Sequence, residues 1–150
     1  MREKINTMLK QAQKAKDQRS VSALRLINAA IKDRDIAARG EGKPSPVGDE
    51  EIVQLLQKMV KQRKESLEIY DKAGRKDLAG QEASEITIIE GFMPKQMSDA
   101  EIIAAVKEVV SATGASGIKD MGKVMAGLKE RYAGQMDFAK AGKAVKDILG

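Results

Sequence analysis

Lys123, Gly127 and Arg131 follow one another at intervals of four in the stretch Ala115–Gly134, ASGIKDMGKVMAGLKERYAG. Read as one helix, the stretch puts these three on one flank and Gly122, Ala126 and Lys129 on the other. Met121, Val124, Met125, Leu128 and Tyr132 share the face between them, with the spacing of a helical period. Two cations with a glycine between them let the backbone of a polyanion come close while its charge is met. The chemistry on offer is a grip on phosphates rather than bond making. Lys119 before this helix, and Lys140 and Lys143 beyond it, are candidates for the same surface.

Bond-making chemistry is poorly supplied. The chain has no cysteine and no histidine. This removes disulfides, thiol chemistry, imidazole acid–base catalysis and the usual zinc sites. No P-loop pattern occurs, and no carboxylate set has EF-hand spacing. No serine sits in a nucleophile-elbow context, and no basic partner is evident to activate one. No catalytic residue, metal or cofactor is therefore expected. Gly114–Lys119, GASGIK, is a turn of a kind that can hold a phosphate on free backbone N–H groups, or serve simply as a loop.

The bulk numbers agree with a soluble binding module. The chain has 150 residues, 33% of them charged, and a net charge of +5. Its mean hydropathy is −0.40 and its pI near 9.4. A basic balance favours phosphate-bearing partners, although a lysine-rich helical protein without such a partner has the same composition. Tyr70, Tyr132, Phe92 and Phe138 are the whole supply of aromatics. That argues against a single-strand binder, which stacks bases on rings, and leaves contact to a folded, duplex-like backbone. No apolar run approaches a membrane span, and the N-terminus lacks the apolar core of a secretion signal. A monomer in the cytoplasm, away from membranes, is expected.

The elements that must position these residues all read as helices, because strong helix formers dominate and no hairpin signal occurs. A first helix over Arg2–Lys16 carries Ile5, Met8, Leu9, Ala12 and Ala15 on one face, with Lys10 and Lys14 away from it. After a short break, a second helix over Ser20–Ala38 should pack antiparallel to it. Gly40–Gly48, GEGKPSPVG, reads as an exposed, mobile loop. Asp49 then caps a long central helix with the stripe Ile52, Leu55, Leu56, Met59, Val60, Leu67 and Tyr70. Lys58, Lys61, Arg63 and Lys64 cluster in its middle. They form either a second basic patch or a solvated face paired with Glu65 and Glu68. A fourth helix runs over Lys76–Met93 and ends at Pro94.

The domain boundary falls at Pro94–Met97, giving an N-terminal helical domain, residues 1–93, and a C-terminal domain, residues 94–150. Ser98 and Glu101 form a capping box, with Met97 and Ile102 as its hydrophobic staple. The fifth helix buries Ile102, Ile103, Val106, Val109 and Val110 and stops at Gly114. The glycine-spaced helix follows. A last helix, capped by Asp137, carries Phe138, Ala141, Val145, Ile148 and Leu149. The fold class is all-α, with a small three-helix C-terminal domain.

Four segments resemble YqeY-like proteins: Leu9–Lys32, Val60–Ile86, Phe92–Ser98 and Ala112–Leu128, ATGASGIKDMGKVMAGL. The last is also similar to the tail domain of the B subunit of glutamyl/aspartyl-tRNA amidotransferase. The resemblance implies an all-helical protein with a small C-terminal domain, and a link to tRNA. It also implies a link to carbon–nitrogen ligase activity with glutamine as amido-N-donor. Asp120, Met121, Gly122, Lys123, Val124 and Met125 are the positions that match the motif. Nothing resembles the nucleotide cradle or the amidase subunit of the larger enzyme, so any enzyme label is inherited from it. Three readings follow: a module holding tRNA or another structured RNA; an adaptor docking on an amidotransferase or aminoacyl-tRNA synthetase through apolar surface between the domains; and an enzyme acting alone.

Overall fold

A computed structural model describes all residues 1–150, as seven α-helices and no strand. The chain divides into two compact units, Met1–Met93 and Pro94–Gly150, each with its own apolar core.

In the first unit, α1 (Arg2–Lys14) and α2 (Gln18–Gly40) form an antiparallel hairpin; α3 (Asp49–Lys72) and α4 (Lys76–Glu90) follow. Asp17 caps α2, its carboxylate accepting from the Ser20 N–H at 3.2 Å. The core holds Ile5, Leu24, Ile27, Ile52, Leu56 and Ile89, all essentially sealed. Asp49 is the first residue inside α3 rather than its cap, and Gly48 takes the capping position. The three acids Asp49, Glu50 and Glu51 still occupy the first turn, where they suit the helix dipole.

The glycine- and proline-rich loop is mostly exposed, as its composition suggests, but its far end is anchored at Val47. Arg2 forks onto the Asp35 carboxylate at 2.7 and 2.9 Å and also donates to the Val47 carbonyl at 2.9 Å. Asp35 in turn accepts the Val47 N–H at 2.8 Å. The Val47 side chain is buried. One bidentate arginine thus ties α1, α2 and the loop together.

A second ion pair joins α3 to α4. Arg63 Nε donates to Glu85 at 3.0 Å, with both side chains largely withdrawn from solvent, at 15% and 10% exposure. Arg63 also donates to the Met59 carbonyl.

In the second unit, α5 (Asp99–Thr113) opens with the capping box: the Glu101 N–H donates to Ser98 Oγ and the Ser98 N–H to Glu101. Gly114 ends it in the left-handed region, φ 65°, where glycine avoids a Cβ clash. A 3₁₀ turn, Ile118–Asp120, precedes α6 (Met121–Tyr132), and α7 (Phe138–Leu149) closes the bundle. Ile103 is 44% exposed rather than buried. Met136 is buried although it lies in a loop; it precedes the Asp137 cap and sits where a staple residue packs.

Two outcomes follow. Glu85→Ala leaves Arg63 buried without its counter-charge and should lower the stability of the chain by about 3 kcal/mol in urea titration; the volume-matched pair R63M/E85L should lose far less. Equal losses would mean that burial of the pair is not the cause. For Asp35, the Arg2 guanidinium and the Val47 N–H hold the carboxyl below its ordinary value. Its contribution is complete above the unfolded value and is lost as pH falls through the lowered folded one. Asp35→Asn should therefore flatten the acid limb of the stability–pH curve, and an unchanged limb would contradict the clamp.

Candidate nucleic-acid interface

The helix carrying the basic residues starts later than its periodicity suggests. Ala115–Gly117 form a turn and Ile118–Asp120 a single 3₁₀ turn, so α6 proper begins at Met121. Asp120 closes this turn by accepting the Ser116 N–H at 3.0 Å. A carboxylate of the chain thus takes an N–H of the glycine–serine turn, which fits the simple-loop reading better than the phosphate-holding one.

The apolar face of α6 is as its spacing requires. Val124 and Leu128 are fully buried, and Met121, Met125 and Tyr132 pack half-buried against the same core. The two flanks differ. A Cβ built on Gly127 would lie 2.9 Å from Val109 Cγ1 on α5. Gly127 thus serves close helix packing and is not a window for a ligand. Arg131, on the same flank, pairs with Glu108 of α5 at 3.3 Å. On the other flank Gly122 has nothing within 4 Å of a built Cβ, so a ligand can approach it.

Lys119, Lys123 and Lys129 are exposed and make no ion pair, as does Lys143 on α7. Lys140 pairs with Asp99 at 2.9 Å, and that hydrogen bond raises the lysine's pKa. The Arg131 and Lys140 pairs are exposed on both sides; such pairs are weak and can be exchanged for a phosphate. Glu130 also faces outward, seven residues on from Lys123, and subtracts charge from this strip. Of the motif positions, Asp120, Met121, Val124 and Met125 serve the turn and the core. Gly122 and Lys123 alone reach solvent freely.

The second patch on α3 is smaller than its sequence suggests. Arg63 is withdrawn into its pair with Glu85, and Lys64 reaches Glu90 at 3.4 Å. Lys58 and Lys61 remain exposed and unpaired. The partners come from α4, not from Glu65 and Glu68; Glu68 pairs with Lys72. Contacts between helices far apart in sequence decide this, and periodicity carries no sign of them. No three carboxylates come together as a metal site. No helix is long and apolar enough to cross a membrane.

The arrangement is that of an all-helical protein with a small three-helix unit turning free lysines to solvent. The family model for YqeY, described as Yqey-like protein, matches residues 2–149, and the chain belongs to that family. Among characterised proteins it is similar to "Altered inheritance of mitochondria protein 41, mitochondrial" from several fungi. Identity to the Lachancea thermotolerans protein is 33% over 105 residues, covering 69% of this chain and 54% of that one. For Pyrenophora tritici-repentis it is 26% over 152 residues, covering 98% and 80%. For Saccharomyces cerevisiae it is 30% over 106 residues, covering 69% and 55%. The chain thus spans about half the length of the first and third of these relatives. All are named as mitochondrial proteins, which overturns the expectation of a cytoplasmic one. Neither the composition nor the missing cysteines carried information on compartment.

The glycines provide a test. Gly122→Ala should raise stability by up to about 1 kcal/mol through helix propensity. Gly127→Ala should lower it by about 1 kcal/mol, as overpacking against Val109 outweighs that gain. Thermal denaturation of both variants decides; a stabilising Gly127→Ala would remove the packing account.

Proposed function

We propose that this YqeY-like chain is a non-catalytic module that holds structured RNA, with tRNA as the leading candidate. The observation that carries the reading is the set Lys119, Lys123, Lys129 and Lys143, four exposed cations with no carboxylate partner, the first three on or just before the helix that carries the open Gly122. Unpaired lysines contact phosphates by shape and charge, with little reading of bases. Arg131 and Lys140 would join them by releasing Glu108 and Asp99. Lys58 and Lys61 are the remaining accessible members of the patch on α3. The resemblance to the amidotransferase tail supports tRNA as the ligand. Carbon–nitrogen ligase chemistry with glutamine as donor would belong to a larger enzyme, since the chain supplies no imidazole or thiol.

An adaptor that docks through the first unit, rather than through surface between the domains, has one observation in its favour. Leu26 is 48% exposed beside a shallow cleft of about 370 Å³, lined also by Ala30, Leu55 and Met59 between α2 and α3. A protein partner such as an amidotransferase or synthetase, held there by apolar contact, would stay bound at high salt.

The test is fluorescence anisotropy with a labelled tRNA transcript. Affinity should fall with salt at a log–log slope of about −3, from four phosphate contacts. K123E/K129E should flatten that slope by about two. Absence of binding at low salt, or binding indifferent to both salt and charge reversal, would overturn the proposal.

A further inference from the structure

The charge of this chain is concentrated away from the surface just described. Residues 1–32 hold eight of the 27 basic residues but only two of the 22 acids, Glu3 and Asp17, a net +6. The other 118 residues hold 19 basic and 20 acidic side chains, a net −1. Of the eight, Arg2 is held by Asp35, Lys4 lies over the Phe92 ring, and Arg19 donates to Ser84. Lys10, Lys14, Lys16, Arg25 and Lys32 are exposed and make no ion pair.

The hairpin strings these five along its length, from Lys16 at the turn to Lys32 four residues past Asn28. The Asn28 side chain donates to Asn6 at 3.1 Å, which fixes the register of α2 against α1. Lys10 stands one turn beyond Asn6, and Arg25 stands on the antiparallel neighbour one turn before Asn28. Lys10 and Lys14 lie opposite the face that buries Ile5 and Ala12; Arg25 and Lys32, seven apart, share a strip of α2 beside Asn28.

Lys16 is placed at a cost. It sits at φ 56° after the end of α1. Its N–H donates to the Gln13 carbonyl, and that of Asp17 to the Ala12 carbonyl. That pattern normally has glycine at this position, as at Gly42, Gly74 and Gly114 here. It is the only non-glycine residue with positive φ in the chain. A lysine kept where glycine would be relaxed adds a cation at the tip of an already basic seam.

We propose that the outer seam of the α1–α2 hairpin, Lys10, Lys14, Lys16, Arg25 and Lys32, is a second phosphate-backbone site for duplex RNA. The ligand class rests on the reading above; the location does not. Asn6, Gln13 and Asn28 lie among the cations on the seam. They can reach phosphate and sugar oxygens. Of the exposed apolar side chains of these helices, Met8 and Leu26 lie off the strip of Arg25 and Lys32, and Ile36 stands one turn beyond Lys32 at its end. A lipid surface needs a continuous apolar face beside the charge, which a single isoleucine does not make, so a nucleic-acid backbone fits better. No aromatic residue occurs in residues 1–32, so the seam suits a duplex rather than stacked single strands.

The experiment measures binding of the full chain to a tRNA transcript and to a plain RNA duplex, across salt, with three variants. K10E/R25E should weaken binding at least about tenfold at moderate salt and lower the salt slope by about two. Lys16→Gly should raise the thermal midpoint, by relieving the left-handed backbone, yet weaken binding; a purely structural Lys16 would not separate the two. K123E/K129E reports on the other surface. Loss with that variant but not with K10E/R25E overturns the hairpin site and leaves the reading above intact. Loss with K10E/R25E alone supports the hairpin and removes the α6 surface. Absence of RNA binding by the unmodified chain, or binding to anionic vesicles but not to RNA, overturns both.

Discussion

At Gly127, where α6 meets α5, there is no room for a side chain. A Cβ at position 127 would come within 2.9 Å of Val109, itself sealed in the core. That close approach fixes the rotation of α6 about its own axis. With Gly127 against Val109 and Val124 and Leu128 inward, Gly122, Lys123 and Lys129 have only solvent to face. A unit of 57 residues buries little surface, and with few aromatics it depends on such contacts. The lysines are therefore exposed because a glycine is packed against α5, and the glycine seen from sequence as an opening for a ligand is the contact that aims them.

The first unit solves its packing differently. Its α2 and α3 are longer than any helix of the second unit, and two arginines do the joining: Arg2 gathers α1, α2 and the loop through Asp35, and Arg63 joins α3 to α4 through Glu85. These pairs take guanidinium groups out of circulation. What remains for a polyanion is lysine-rich and makes no ion pair, above all on the α1–α2 hairpin. The net charge of +5 hides this, since the acids of α3 and α4 offset basic residues elsewhere.

Periodicity made the helices legible, because each buries one stripe, and start signals such as Ser98–Glu101 survive intact in the structure. Elements lacking a period were harder to read. Met136 and Val47 are buried from loops, and nothing in their neighbours' spacing announces it. Arg63 looked like surface because its partner lies on the next helix. Gly127 and Gly122 looked alike, although one meets Val109 and the other meets nothing. The basic seam of the hairpin needed the register set by Asn6 and Asn28, which only the fold supplies.

The central claim is that this YqeY-like chain acts by holding a phosphate backbone on unpaired lysines. Lysine acetylation footprinting of the full chain, read residue by residue by mass spectrometry with and without tRNA, tests it most directly. Lys119, Lys123, Lys129 and Lys143, with Lys10 and Lys14 on the hairpin, should lose reactivity when tRNA is present, while Lys72, engaged with Glu68, should not change. Unchanged reactivity at all of the unpaired lysines would contradict the account.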